Sequence, residues 1–228
     1  MELPSTYRTR DIQLDLEGLS LQLTLVTNTD DLMDQLLAKG SEHEDVRDER
    51  IPYWADLWPS AIALGRYLLR ENAIRPGMRV IEIGCGLGLP GIVAGMLGAE
   101  VIFTDYLEEA LLMARYNWQQ NVDRPARFEL MDWRKPRPEL AAELVLASDV
   151  AYEARAFDPL PEAFQTLCRP GGAVLLSEPT RAIARPFLQE LPEQGFSVSE
   201  HLFEGQYEQI LYRVNVHQLE RNSAGEMK

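Results

Sequence analysis

The 228-residue sequence predicts an α/β fold, a mainly parallel sheet wound on both faces by helices. Three observations lead there. A short apolar strand from Val80 passes through Gly84, Gly86 and Gly88 into a helix of small residues. Strand-like and helix-like runs then alternate as far as residue 191, as they do when parallel strands are joined by crossover helices. Two last strands, expected over 196–200 and 207–214, follow one another with no helix between them. They read as an antiparallel pair closing the sheet.

Before that core, Ile12, Leu14 and Leu16 alternate with polar residues, and so do Leu19, Leu21, Leu23 and Leu25. Period-two alternation broken at Glu17-Gly18 predicts a β-hairpin with one buried face. Asn28 or Thr29 is placed to cap a short helix running to Lys39, with Asp30 and Asp31 at its positive end and Gly40 as its stop. The acidic run 41–50 reads as a loop. Residues 51–60 hold Trp54 and Trp58 beside Pro52 and Pro59. Pro59 suits the first turn of a helix whose apolar face is Ile62, Leu64, Leu68 and Leu69. Either both tryptophans anchor that helix to the core, or one of them walls a pocket with a flat aromatic face.

The first strand of the main sheet is expected over 78–83, after a turn at Arg75-Pro76-Gly77. Gly91 and Gly95 lie four apart on the helix that follows, so one face of it can pack closely on the sheet. A second strand, 101–106, carries Asp105 at its end, and a helix over 107–120 follows. A third strand, 127–131, ends at Asp132-Trp133 and leads into a basic, proline-broken loop, 134–138, expected to be solvated. The fourth, 143–149, ends at Ser148-Asp149; a helix over 157–167, a turn at 169–172 and a fifth strand over 173–177 come next. One more helix covers 187–191, and a loop containing Gly205 is expected between the last two strands.

A formal charge of −14 lacks the basic footprint that nucleic acid requires, so none is expected as a partner. A lysine-bearing protein surface would be attracted instead. Cys85 and Cys168 are the only cysteines, and His43, His201 and His217 stand apart. No disulfide framework and no metal site follow from that pattern. The sequence shows no signal peptide and no apolar run long enough to span a membrane, which makes a soluble, cytoplasmic protein the expectation.

In a doubly wound sheet, ligands bind at the carboxyl ends of the strands. The glycine loop, Asp105, Asp132-Trp133 and Ser148-Asp149 all fall there. Asp105 lies about 20 residues beyond the loop, where a carboxylate can accept both hydroxyls of an adenosine ribose. That feature serves NAD and S-adenosylmethionine alike. Leu89 stands where a dinucleotide fingerprint has its third glycine, and Glu82, just before the loop, would repel a pyrophosphate but could bind an ammonium. Both point away from NAD.

These residues carry a resemblance. Glu82-Ile-Gly-Cys-Gly-Leu-Gly88, Asp105, Asp132-Trp133 and the paired last strands resemble the seven-β-strand methyltransferases that use S-adenosyl-L-methionine. More narrowly, Trp58, Asp132-Trp133 and Ser148-Asp-Val-Ala-Tyr152 resemble the family sixteen protein methyltransferases, many of which methylate lysine. Pro52 to Pro59 and Glu178-Pro-Thr-Arg181 are similar to the branch acting on the β-subunit of electron-transfer flavoprotein, although Ser60-Ala61 replaces a glycine pair of that branch.

The resemblance implies a Rossmann-like seven-stranded sheet with an antiparallel C-terminal hairpin, preceded by the N-terminal hairpin and helix. With the hairpin and helix before it and the polar run after it, the chain is expected to divide into an appendage (1–50), a methyltransferase domain (51–216) and a flexible tail (217–228). The resemblance also implies roles. Gly84, Cys85, Gly86 and Gly88 approach the methionine part and ribose of S-adenosyl-L-methionine, with Glu82 on its ammonium side. Asp105 holds the ribose, with Tyr106 beside it, while Asp132 accepts from the adenine amino group and Trp133 packs nearby. Trp58 and Ser148 line the cofactor pocket, and Asp149 and Tyr152 form the catalytic mouth for a lysine. The protein bearing that lysine would be the partner, electron-transfer flavoprotein β-subunit among the candidates. Rival readings at this point are a small-molecule N-methyltransferase, a dehydrogenase, and a non-catalytic interaction protein on the same fold.

Overall fold

A computed structural model describes residues 1–221. In chain order it has strands β1 (Thr9–Leu16) and β2 (Leu19–Val26), then helices α1 (Thr29–Leu37), α2 (Glu44–Arg47) and α3 (Pro59–Arg70). Next come β3 (Arg79–Ile83), α4 (Leu89–Met96), β4 (Glu100–Asp105), α5 (Glu108–Asn121) and β5 (Arg127–Leu130). β6 (Ala142–Ser148), α6 (Pro159–Leu167), β7 (Cys168–Glu178), α7 (Arg185–Glu190), β8 (Phe196–Tyr207) and β9 (Ile210–Arg221) complete it.

Seven strands form the main sheet in the order β5-β4-β3-β6-β7-β9-β8. β3 lies between parallel neighbours β4 and β6, while β9 runs antiparallel to both β7 and β8. The strand order reverses between β4 and β6 on either side of β3, which opens a crevice at their carboxyl ends. Side chains alternate across the sheet. Val80, Phe103, Leu144 and Val216 face the side covered by α3, α4 and α5. Ile81, Ile83, Val145 and Leu176 face the side covered by α6 and α7. Both layers are mainly apolar and closely packed, so the sheet is a rigid shelf for whatever its carboxyl edge holds.

The N-terminal hairpin is a separate two-stranded sheet turning at Glu17 and Gly18, both at positive φ (52° and 86°). A two-residue turn of that kind follows the natural twist of the strands. Asn117 on α5 accepts from the Thr24 amide at 2.8 Å and donates to its carbonyl at 3.2 Å. One turn later, Asn121 does the same to Gln22, at 2.9 and 2.7 Å. Two asparagines thus satisfy the strand edge that β1 leaves open, and fix the hairpin on α5.

Several local expectations change. Asn28 sits at the start of α1 but makes no capping bond; its side chain accepts from the Arg8 amide and donates to the Thr6 carbonyl. The acidic run 41–50 contains α2, capped by the His43 ring accepting from the Asp45 amide at 3.2 Å. β7 begins at Cys168, with a register shift opposite Ala142 and Leu144, so the turn expected over 169–172 belongs to the strand. Gly205 lies within β8, where a Cβ would come within 2.5 Å of the Tyr212 hydroxyl across the pair. The connection is instead the two residues after Tyr207.

The tail expected from 217 also starts too early. His217 through Arg221 belong to β9, and His217 is buried against Glu178, its Nε2 3.5 Å from the carboxylate. Residues 222–228 lie outside the described residues.

Candidate active site

A cavity of about 380 Å³ opens where the strands end, within the roughly 300–1,000 Å³ typical of small-molecule sites. Its floor is the glycine loop between β3 and α4. Gly84, Gly86 and Gly88 all take positive φ, at 59°, 49° and 79°, which side chains with a Cβ rarely adopt. A Cβ at Gly84 would also meet Val150 at 3.1 Å. Cys85 is buried in the loop, and burial pushes its thiol well above the usual range, so it serves as packing and not as a nucleophile.

Asp105 closes one rim. Its Oδ2 accepts from the Gly86 amide at 3.2 Å and its Oδ1 from the Leu107 amide at 3.1 Å. Two of its roughly four acceptor positions are therefore taken by backbone, and the rest are available to ligand hydroxyls. Burial raises its pKa to about 6, partly offset by those amides. Tyr106 lines the same wall, its phenol pushed up to about 12 by burial and then by the Asp105 charge.

Glu82 does not reach the cavity. It is fully buried beneath the loop, where Oε2 accepts from the Gly91 amide at 2.9 Å and Oε1 has no partner. Burial lifts its pKa well above the ordinary value. It fixes the start of α4, and the ligand-facing role expected of it is not what this geometry offers. Gly91 is required there, because a Cβ would lie 2.5 Å from that same carboxylate oxygen.

Asp132, Trp133 and Arg134 line the cavity beyond β5. Asp132 is already engaged: Oδ1 accepts from the Arg134 amide and Nε at 2.9 and 2.8 Å, and Oδ2 accepts from Nε at 2.9 Å and pairs with Nη2 at 2.8 Å. Arg134 also reaches Asp48, at 2.8 Å. The basic loop is solvated as expected, with Arg134 and Lys135 exposed, yet it is tied down. Its arginine ties the segment ahead of α3 to the strand end and leaves Asp132 little capacity for an adenine amine.

That segment roofs the cavity. Trp54 is buried and lines it; Trp58 is half-exposed, lines it too, and donates to the Tyr53 carbonyl at 2.8 Å. Tyr53 meets the Trp58 ring edge-on at 5.9 Å and the Tyr152 ring at 5.8 Å. Both tryptophans line the cavity, and Trp54 also belongs to the buried core, so for that residue the wall and anchor readings coincide.

Ser148, Asp149 and Tyr152 complete the cavity after β6. Asp149 holds a positive φ of 57°, with its amide donating to Ser177 at 2.9 Å. Its Oδ2 accepts from the Ser60 hydroxyl at 3.2 Å, and its Oδ1 accepts a short charged bond from Arg181. Burial, followed by the Glu153 charge, raises the Tyr152 phenol far above its ordinary value. It therefore stays a neutral hydroxyl. Arg181, Arg134 and Asp48 were not singled out for this site by sequence reasoning. Their partners lie 32 and 86 residues away, and no local spacing announces such pairs.

A glycine cradle, a rim carboxylate with spare acceptor capacity and an aromatic roof fit a nucleoside bearing a sulfonium better than a dinucleotide. Known proteins agree. A sequence model described as lysine methyltransferase matches residues 46–194, more than half of the chain. The chain belongs to the lysine methyltransferase family.

It is 33% identical over 163 residues to an electron transfer flavoprotein beta subunit lysine methyltransferase of Xenopus laevis, covering 68% of this chain and 65% of that protein. That is just under two thirds of the relative's length. It is 32% identical to a protein N-lysine methyltransferase of Danio rerio, over 72% of this chain and 78% of the other. In fold it is similar to a magnesium protoporphyrin IX methyltransferase of Synechocystis solved with S-adenosylmethionine bound, with a TM-score of 0.55, 18% identity and coverage of 83% and 90%. The family model and these relatives place the chain among the lysine methyltransferases, and the solved structure shares its fold.

Proposed function

We propose that this methyltransferase modifies the side-chain amine of a lysine displayed by a folded protein. One observation carries the reading: Asp149 and Tyr152 line the same cavity as the glycine loop and Asp105. A donor bound on the loop and an amine entering past Asp149 would share one cavity. The donor supplies a methyl group on a positively charged sulfur. The chain's part is to orient, to exclude water and to present the acceptor uncharged. At pH 7 an ordinary lysine, of pKa near 10.4, needs about 4–5 kcal/mol to lose its proton. Asp149 offers the amine a hydrogen-bond acceptor, and Tyr53, Trp58 and Tyr152 give the alkyl chain an aromatic wall.

Electron-transfer flavoprotein β-subunit is the first acceptor to test, given the Xenopus laevis relative and the Glu178-Pro-Thr-Arg181 segment. Incubation with radiolabelled S-adenosylmethionine and a cell lysate, followed by hydrolysis of the labelled band, decides the class. Label recovered as methyl-lysine in a protein is the expected result. Label confined to small metabolites would replace it with a small-molecule acceptor, and no label at all with a non-catalytic role.

A further inference from the structure

The acceptor mouth contains a permanent cation. Arg181 bonds Asp149 and lines the cavity, with side chains 31% and 10% exposed. Both partners are fixed from behind. Asp149 is held by Ser177 on the neighbouring strand, since Ser148 and Ser177 are register partners. The Arg181 amide donates to Glu178 Oε2 at 2.8 Å; Glu178 is buried, and its other oxygen faces His217. Thr180, between them, is held at a positive φ of 54°. The pair therefore bridges two adjacent strand ends and does not hang from mobile loops.

We propose that Arg181 is a positioning residue that keeps the acceptor amine uncharged at Asp149. The argument rests on the lysine reading above. A bare carboxylate would hold an incoming lysine as ammonium, which has no lone pair to attack with, because an opposite charge favours the charged form. A guanidinium does not lose its proton in proteins. With Arg181 in place the local charge is zero, and Asp149 keeps acceptor capacity to align an amine N–H while the nearby cation disfavours the ammonium. The proton leaves to water before transfer. The amine lone pair then forms the N–C bond as the C–S bond breaks with its electron pair staying on sulfur.

The remaining ionisable groups around the cavity do not supply this balance. Arg134 is committed to Asp48 and Asp132, and Arg155 to Glu153 and Glu49. Asp105 is bound by loop amides, and Asp56 is uncompensated, its pKa raised by burial. Tyr106 and Tyr152 are neutral phenols, and Glu178 and His217 sit behind Arg181 in each other's company.

The test is the single-turnover methylation rate against pH for wild type, Arg181→Gln and Arg181→Lys. The acceptor is the protein labelled in the lysate experiment, purified. Arg181→Gln should move the acid limb upward by about one pH unit or more, with full rate recovered at high pH and KM unchanged or lower. Arg181→Lys should restore the wild-type limb. A wild-type limb in Arg181→Gln, or a pH-independent loss of rate, would overturn the role and leave lysine methylation standing. A faster Arg181→Gln would also overturn it, by showing that the arginine merely blocks the mouth. Wild type that labels no lysine defeats the acceptor reading and this role with it.

Discussion

The cavity joins two regions made by different means. At the β3–β4 end, geometry comes from backbone: three glycines in left-handed conformations, and Asp105 fixed by two amides. At the β6–β7 end it comes from side chains, with Asp149 held between Ser60 and Arg181. Backbone cradles recognise what all users of one donor share. Side-chain pairs can be changed one residue at a time, and they suit the end that must select an acceptor. If this division is real, damage at one end should leave the other working.

The largest effect is expected from Asp149→Ala. Methyl transfer should fall by about 100-fold or more, the loss of an orienting contact in the transition state. Calorimetry with S-adenosylhomocysteine should show affinity within about threefold of wild type. Normal turnover would remove Asp149 from the reaction, and a collapse of S-adenosylhomocysteine binding would erase the distinction between the two ends.

Gly91→Ala should attack the cradle from beneath. Its Cβ would lie 2.4 Å from Phe103 and 2.5 Å from Glu82 Oε2, and both are buried and cannot retreat. Overpacking of this kind costs about 1–3 kcal/mol, read as a shifted midpoint in urea. Weaker S-adenosylhomocysteine binding should accompany it, because Glu82 holds the first turn of α4. A variant as stable as wild type would show that the loop has slack the contacts do not reveal.

Next in size is the pH dependence of the cradle. Asp105 has a folded-state pKa of about 6, raised mainly by burial, against roughly 3.9 when unfolded. Its charged form is therefore disfavoured by folding. The stability it confers is complete below about pH 4 and is lost as pH rises to 6. Ribose hydroxyls need the ionised form, so affinity moves the other way. S-adenosylhomocysteine should bind about tenfold more weakly at pH 5 than at pH 7, as the competent fraction falls. Asp105→Asn should bind weakly at both. Equal affinity across that range would take Asp105 out of ligand recognition.

The same contrast governs what was legible in the sequence. Backbone demands write themselves as residue types at fixed spacing, so the glycine loop, Asp105 and the strand alternation could be read directly. Glu82 was misplaced although the signal existed: it shares a strand face with Val80, the face that α4 covers. A carboxylate there points at the helix and away from the ligand. Gly205 reads as a loop residue in the sequence, yet a glycine in a strand also marks close approach of a neighbour, here Tyr212. The polar run from His217 looked like a tail because its buried partner, Glu178, is 39 residues away. Arg134 and Arg181 stand out in the sequence only as parts of a basic loop and of a branch-like segment, because their partners Asp48 and Asp149 are far along the chain. Ion pairs between distant segments leave no pattern along the chain.

The smallest effect should come from the link between roof and cradle. Arg134 joins Asp48, in the segment before α3, to Asp132 after β5, and its guanidinium lies 5.8 Å from the centre of the Tyr106 ring. The side chain is 37% exposed, so water screens the pairs and their contribution to stability is below about 1 kcal/mol. Arg134→Ala should therefore melt close to wild type. A roof released at one corner should nevertheless let ligand leave sooner, by about three- to fivefold in the dissociation rate of S-adenosylhomocysteine, measured by stopped flow. Because exposed pairs weaken as the Debye length shrinks from about 10 Å at 0.1 M salt to 3 Å at 1 M, wild type should approach the variant's rate in high salt. Wild-type dissociation that ignores salt would mean that the tryptophans hold the roof without the arginine, and that the backbone-built end needs no side-chain clasp.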